Sequence, residues 1–274
     1  MPRSSSCSRC AALAFAGLGT LAHAQTATFR MTDLDLRDPH LFAQILTCSD
    51  VTDTTFAGYS FNKSLQDSIQ GDAEPDGYLD RSYLVQFLPL AQSQATNLID
   101  VGTAQCTAPM EGTTCGGIAG TNLSGDATLL ASGTCLEPVP GTTGAYSPAI
   151  SVPAAQCFVS QQGDVTIDFA GIPLTLRKAR IAASFTGDPA TGLANGLLSG
   201  FLTEADANNT IIPNSYPFFG GQPLSKLLRG GTGVCASGSD KDLDGETPGW
   251  WFYFNFPAAR VTEPPNEVFS NGFE

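Results

Sequence analysis

Apolar residues recur at every second position over much of the chain. Val165, Ile167 and Phe169 alternate with Thr166, Asp168 and Ala170, and Ile172, Leu174 and Leu176 continue the series before Ile181, Ala183 and Phe185. Tyr83, Val85 and Phe87 share one face of SYLVQFLPL, and residues 28–36 (TFRMTDLDL) alternate as well. Successive side chains of a strand point to opposite faces, so a period of two marks strands rather than helices. Short runs of this kind, bounded by Gly, Pro, Asn and Asp, indicate a sandwich or a barrel. The expected fold is mainly β: an antiparallel, jelly-roll-like β-sandwich with one or two short helices.

The helical pattern is scarce. In residues 62–70 (NKSLQDSIQ), Phe61, Leu65 and Ile69 fall at i, i+4 and i+8, Asn62 is a candidate N-cap and Gly71 a natural stop. Residues 193–205 (LANGLLSGFLTEA) mix signals. Leu197, Leu198, Phe201 and Leu202 suit a helix, but Gly196 and Gly200 penalise one, so a strand entering a short helical turn is expected.

The N-terminus reads MPRSSSCSRCAALAFAGLGTLAHAQ. Arg3 and Arg9 precede a short apolar run from Ala11 to Leu21, and Ala22-His23-Ala24 is a small-x-small cleavage site. This predicts a signal peptide over 1–24, too short in its apolar part to span a bilayer. No linker, charge block or internal repeat divides the chain before residue 262. A single domain over 25–261 and a flexible tail over 262–274 are therefore expected.

Composition narrows the function. Charged residues are 14% of the 274, the mean hydropathy is +0.01, and 13 basic residues face 26 acidic ones for a net charge of −13. Loss of Arg3 and Arg9 with the leader would take this to −15. Such a surface repels nucleic acid and favours cations. After the leader, no apolar run reaches the length of a transmembrane helix.

Six cysteines follow the leader: Cys48, Cys106, Cys115, Cys135, Cys157 and Cys235. An even number in an exported chain reads as three disulfides, here with 15 possible pairings. Cys106 with Cys115, around the turn-rich EGTTCGG, and Cys135 with Cys157 are plausible local pairs. Zinc is disfavoured, because no C-x-x-C remains and His40 is the only histidine after the leader.

Two acidic loops are candidate calcium sites. In the first, Asp72, Glu74, Asp76 and Asp80 stand at positions 1, 3, 5 and 9, Gly77 at 6, and Tyr78 at 7 with its backbone carbonyl. Calcium takes six to eight oxygens, which alternate residues on a tight loop can supply. With Gly71 in front, GDAEPDG resembles one loop of the EF-hand and dockerin type, though Tyr83 replaces the acid at position 12. The second loop, Asp240-Lys-Asp242-Leu-Asp244-Gly245-Glu246, repeats the D-x-D-x-D-G spacing and has Trp251 at position 12. Solvated turns would use the same residues. The expected role of Ca2+ is structural.

Residues 249–256 (GWWFYFNF) place Trp250, Phe252, Phe254 and Phe256 on one face of a strand and Trp251, Tyr253 and Asn255 on the other. The second face is either an aromatic platform for stacking sugars, with Trp251 and Tyr253 as ligand-binding residues, or the buried side of a central strand. Hydrolase signatures such as G-x-S-x-G and H-E-x-x-H are absent from the sequence. His40 follows Asp38-Pro39 and reads as a surface turn residue, which leaves no candidate triad.

The loop after residue 235 and the GWWFYFNF strand are similar to uncharacterised secreted bacterial proteins, and no activity comes with that likeness. The ending Phe269-Ser-Asn-Gly272-Phe273-Glu274 resembles the short F-x-x-G-F-E tails of exported Gram-negative proteins. The resemblance implies a secreted, periplasmic or cell-surface protein. The reading is a disulfide-stabilised calcium-binding protein with a non-catalytic binding or envelope-structural role. Its partner would be an extracellular glycan or envelope component, and the alternative is a secreted carbohydrate-active enzyme.

Overall fold

The computed structural model describes residues 26–55, 58–235 and 238–262. The expected signal peptide, and all of the expected tail except Thr262, lie outside these residues. The chain begins with β1 (Ala27–Met31), β2 (Asp35–Asp38), the small hairpin of β3 (Phe42–Gln44) and β4 (Cys48–Asp50), and α1 (Phe61–Gln70). A run of strands follows: β5 (Tyr83–Phe87), β6 (Thr96–Thr103), β7 (Ala119–Leu130), β8 (Cys157–Ser160), β9 (Gly163–Phe169), β10 (Ile172–Thr186) and β11 (Gly192–Thr203). The short helix α2 (Glu204–Asn209), β12 (Asp242–Asp244) and β13 (Thr247–Val261) complete the fold.

Strands pair antiparallel in the order β1, β5, β6, β7, β8, β10, β11, β13. β13 then returns to β1, from Thr28 opposite Val261 to Met31 opposite Ala258. That last pairing closes eight strands into a barrel and overturns the expected sandwich. Alternation reports that a strand has a dry and a wet face. It does not report whether the first and last strands meet, and the two architectures differ in that contact alone.

The inward positions form one core. Phe29, Val85, Phe87, Phe158, Ile181, Leu198, Trp250, Phe252 and Phe254 are all buried in it, with Phe87 edge-on to both Phe29 and Phe158. A void between Met31, Tyr83, Leu123 and Leu198 measures about 20 Å³, room for roughly one water. Outward positions of β6 and β7 carry Thr96, Asp100, Ser124, Asp126 and Thr128. The same outward side of β6 also carries the exposed Leu98. No helix among the described residues is long and apolar enough to cross a membrane.

The two glycines that argued against a helix in β11 have a packing role. A Cβ on Gly196 would stand 2.5 Å from the Phe256 ring and from its carbonyl oxygen, and one on Gly200 would stand 2.7 Å from Leu176 Cβ. Glycine in a strand marks such close approach. Gly196→Ala should therefore destabilise the fold by about 2–3 kcal/mol, an overpacking cost. Urea unfolding would show it as a lower midpoint at unchanged slope.

Helix α1 packs Phe61, Leu65 and Ile69 on the core, and Phe61 stacks against Phe169 and Tyr216. Its N-cap is Ser60, whose hydroxyl accepts from Lys63 N. The expected cap, Asn62, lies inside the helix instead. Its side chain accepts from Leu36 N at 2.8 Å and donates to Leu36 O at 3.0 Å, extending β2 like one more strand residue. Arg30, buried on β1, donates to Ile69 O at the C-terminal end of α1, where a cation is favoured. Burial lowers its pKa to about 10.

Candidate functional site

The first acidic loop joins α1 to β5. The Asp72 carboxylate accepts from Asp76 N at 3.1 Å and Gly77 N at 3.0 Å, Asp76 Oδ1 accepts from Tyr78 N at 2.9 Å, and Asp80 Oδ1 accepts from Ala73 N at 3.0 Å. Gly77 supplies the φ of +87° that turns the chain. A backbone bond from Asp80 N to Gly71 O closes the loop, and bonds from Leu79 N to Cys106 O and from Ala108 N to Gly77 O tie it to the region of the Cys106–Cys115 bridge. Glu74, Asp76, Tyr78 and Asp80 are exposed beside an open groove of about 610 Å³ that Thr103 and Gln105 also line. No Lys or Arg pairs with these carboxylates among the described residues.

The second loop takes a different shape. Asp242–Asp244 is strand β12, paired with Thr247–Gly249 across a tight turn at Gly245, where φ is +64°. The run is extended and does not wrap, and its acids are already engaged. Asp240 accepts from the Tyr146 hydroxyl, Asp242 from Trp251 N at 3.2 Å, and Asp244 pairs with Lys178 at 2.6 Å. Glu246 is exposed at the hairpin tip. The same acid spacing, D-x-E-x-D-G in the first loop and D-x-D-x-D-G in the second, thus gives a turn in one place and a hairpin in the other. Among the described residues, no three His, Cys, Asp or Glu side chains converge as a metal-binding group.

Trp251 and Tyr253 do not form an open platform. The segment 131–156, between β7 and β8, crosses the outer face of β8, β10, β11 and β13 as a strap and leaves Trp251 8% and Tyr253 0% exposed. Leu136 and the partly buried Leu130 and Ile150 pack with Leu197, Phe201 and Trp251 beneath it. The strap is held by polar clasps. The Tyr253 hydroxyl meets Val139 N at 3.0 Å and Thr142 Oγ1 at 2.5 Å. Asn255 accepts from Ser151 N and donates to Ser151 O, both at 2.7 Å. Burial raises the Tyr253 pKa to about 12, so the clasp stays a neutral hydroxyl. The double-buried strand is the reading that the structure supports.

Under the strap lies a cluster of titratable groups that the sequence did not single out. Asp38, only 2% exposed, accepts from Gly144 N at 2.7 Å. Burial pushes its carboxyl up to about 7, against the opposing Gly144 N–H, with Asp240 and Asp242 adding like charge. His40, expected at the surface, is 2% exposed. Its Nδ1 lies 2.5 Å from Asp50 Oδ2, its Nε2 lies 3.7 Å from Asp53 Oδ2, and its ring stacks on Tyr146 at 4.0 Å. Burial alone would raise Asp50, but the His40 bond and charge, with Thr52, outweigh it and hold the carboxyl below its usual range. Arg229 caps the group over the rings of Phe42, at 4.1 Å, and Tyr146, at 5.6 Å. Asp38-Pro39-His40 read as a turn because nothing local announces that a segment a hundred residues away covers it.

The described residues thus define a disulfide-stapled antiparallel β-barrel with a packed interior, one exposed acidic loop and one strapped outer face. No family model, no curated protein and no solved structure matches the chain.

Proposed function

We propose that this is an exported protein with a non-catalytic binding or envelope-structural role, and that the loop over residues 72–80 binds calcium. The observation that carries the reading is the contrast between the two acidic loops. Asp244 is paired with Lys178 and Asp240 with the Tyr146 hydroxyl, whereas Glu74, Asp76 and Asp80 are exposed and, apart from backbone N–H bonds to Asp76 and Asp80, face solvent without a cation among the described residues. Asp72 holds the turn by accepting from Asp76 N and Gly77 N, and carboxylate oxygens on alternate loop residues are the ligand type that calcium takes. Three disulfides support export, since such bridges persist in oxidising compartments. The packed barrel interior favours a role for the outer surface over that of a carrier with an enclosed ligand.

Thermal melts in millimolar calcium and in excess chelator test this reading. An ion at a hundredfold its dissociation constant adds about 2.7 kcal/mol, or several degrees for a chain of this size. Asp72→Asn with Asp76→Asn should remove the calcium-dependent shift and leave the melt in chelator nearly unchanged. Equal melting temperatures in calcium and chelator for the parent protein would overturn the calcium assignment.

A further inference from the structure

The two most exposed large apolar side chains among the described residues flank one disulfide. Leu46, 92% exposed, stands two residues before Cys48, and Val234, 76% exposed, immediately precedes Cys235. Val234 and Cys235 line a groove of about 260 Å³ beside the β3–β4 hairpin, together with Phe42, Phe219 and Leu227. Lys226 also lines it and no Asp or Glu does, and Lys226 has no carboxylate partner among the described residues. In a chain of net charge −13 the groove is a local exception. Cys48 is itself exposed, whereas Cys235 and the cysteines of the other two bridges are buried.

We infer that the Cys48–Cys235 bridge and its apolar rim form a thiol–disulfide exchange site, docked by a dithiol oxidoreductase whose thiolate attacks Cys48.

Access and charge decide which bridge exchanges and at which sulfur. A thiolate must reach a disulfide sulfur from outside, so exposed bridges are the labile ones. Cys48 is the open end of this bridge and Cys235 the closed one. Attack on Cys48 forms a mixed disulfide with the partner and breaks the bond to Cys235, whose sulfur takes the electron pair and leaves as a thiolate. A lysine beside a thiolate stabilises it, and Lys226 lines the groove that Cys235 shares. The partner's second thiol then gives up its proton, attacks its own sulfur in the mixed disulfide and releases Cys48, which takes that proton. Two electrons have passed to the bridge, and the partner's dithiol has become a disulfide. The same steps in reverse close the bridge. An approaching thiolate is an anion, repelled by most of this acidic surface but not by a groove whose one charged residue is a lysine. A small thiol needs the sulfur alone. An apolar rim on both sides of the point of attack serves a partner with a surface of its own. Exchange is local, because β3 and β4 pair only with each other in their sheet. Opening their bridge leaves the eight-strand closure and the two buried bridges in place.

Reduced thioredoxin, as a dithiol protein, and dithiothreitol, as a small dithiol, test the inference on the whole protein. A limiting amount of each is followed by alkylation and peptide mass spectrometry. With either reagent, Cys48 and Cys235 should be labelled about tenfold faster than Cys106, Cys115, Cys135 and Cys157. Thioredoxin lacking its resolving cysteine should be trapped on Cys48. Leu46→Ser with Val234→Ser, a change confined to exposed side chains, should slow thioredoxin about tenfold and leave the dithiothreitol rate unchanged. Earlier labelling of either buried bridge, trapping on Cys235, or a thioredoxin rate that the double variant does not alter would overturn the proposal. So would a dimer of the parent that the double variant dissolves, since the rim would then belong to a second copy.

Discussion

Removing the Cys48–Cys235 bridge, by replacing both cysteines with alanine, should cost about 5 kcal/mol. The bridge joins the β3–β4 hairpin to residue 235 across a sequence separation of 187, against 9 for Cys106–Cys115 and 22 for Cys135–Cys157. In the chain-entropy account a cross-link destabilises the unfolded state roughly as the logarithm of the loop it closes. This gives about 5 kcal/mol for the long loop and about 2.6 for the shortest. The order of the three bridges is therefore set before any contact is counted. The long one also staples a hairpin that lies outside the barrel sheet and is otherwise tied by Phe42 N to Leu227 O, by His40 to Asp50 and by Arg229 over Phe42. β3 and β4 pair only with each other in their sheet, and the groove of about 260 Å³ beside them is walled by Phe42, Ala43, Phe219 and Leu227. Guanidinium unfolding of the parent and the three double variants checks the ranking. A Cys106→Ala, Cys115→Ala protein less stable than the Cys48→Ala, Cys235→Ala one would reject the entropic ordering.

Local chemistry was legible where one residue's neighbours in sequence are also its neighbours in space. The alternation of Val165, Ile167 and Phe169 and of Ile172, Leu174 and Leu176 reads directly as the β9–β10 hairpin. The strand of residues 193–203 that turns into a short helix is β11 running into α2, with Thr203 capping Asp206 N. The two local disulfide pairs follow from the same proximity. Failures began where a partner lies far along the chain. Barrel closure depends on Ala258–Val261 meeting β1, and no periodicity encodes that meeting. The two acidic runs, DAEPDG and DKDLDG, are alike in spacing, but only the second has a downstream Thr247–Gly249 segment to pair with as a hairpin. The strap was harder still. Its polar residues looked like ordinary loop, and the sequence left Trp251 and Tyr253 between a platform and a buried strand, because what covers them is a segment from a hundred positions upstream.

The same strap underlies the second large effect, a dependence of stability on pH that Asp38→Asn should remove. Asp38 is buried at 2% exposure, and its carboxyl is raised to about 7 from 3.8, first by burial and then by Asp240 and Asp242, against Gly144 N and His40. Below pH 3.8 folded and unfolded chains both hold the proton, and the residue makes no difference. Between 3.8 and about 7 the folded chain keeps a proton that the unfolded chain has released, so stability falls as pH rises. Each unit of that gap is worth about 1.4 kcal/mol, hence about 4 kcal/mol as an upper bound once the pH exceeds 7. Asp50 works in the opposite sense. Its lowered pKa contributes stability at neutral pH that is lost on acidification toward and below 3.8, a window that barely overlaps that of Asp38. Denaturant unfolding of the parent and of Asp38→Asn should therefore give nearly equal stabilities near pH 4 and a gap that widens in favour of the variant up to about pH 7, then holds. The gap reports Asp38 together with its coupling to Asp240, Asp242 and His40. A variant less stable than the parent at pH 8 would mean that the Gly144 contact needs the carboxylate itself, and that the charge under the strap holds it down rather than prising it up.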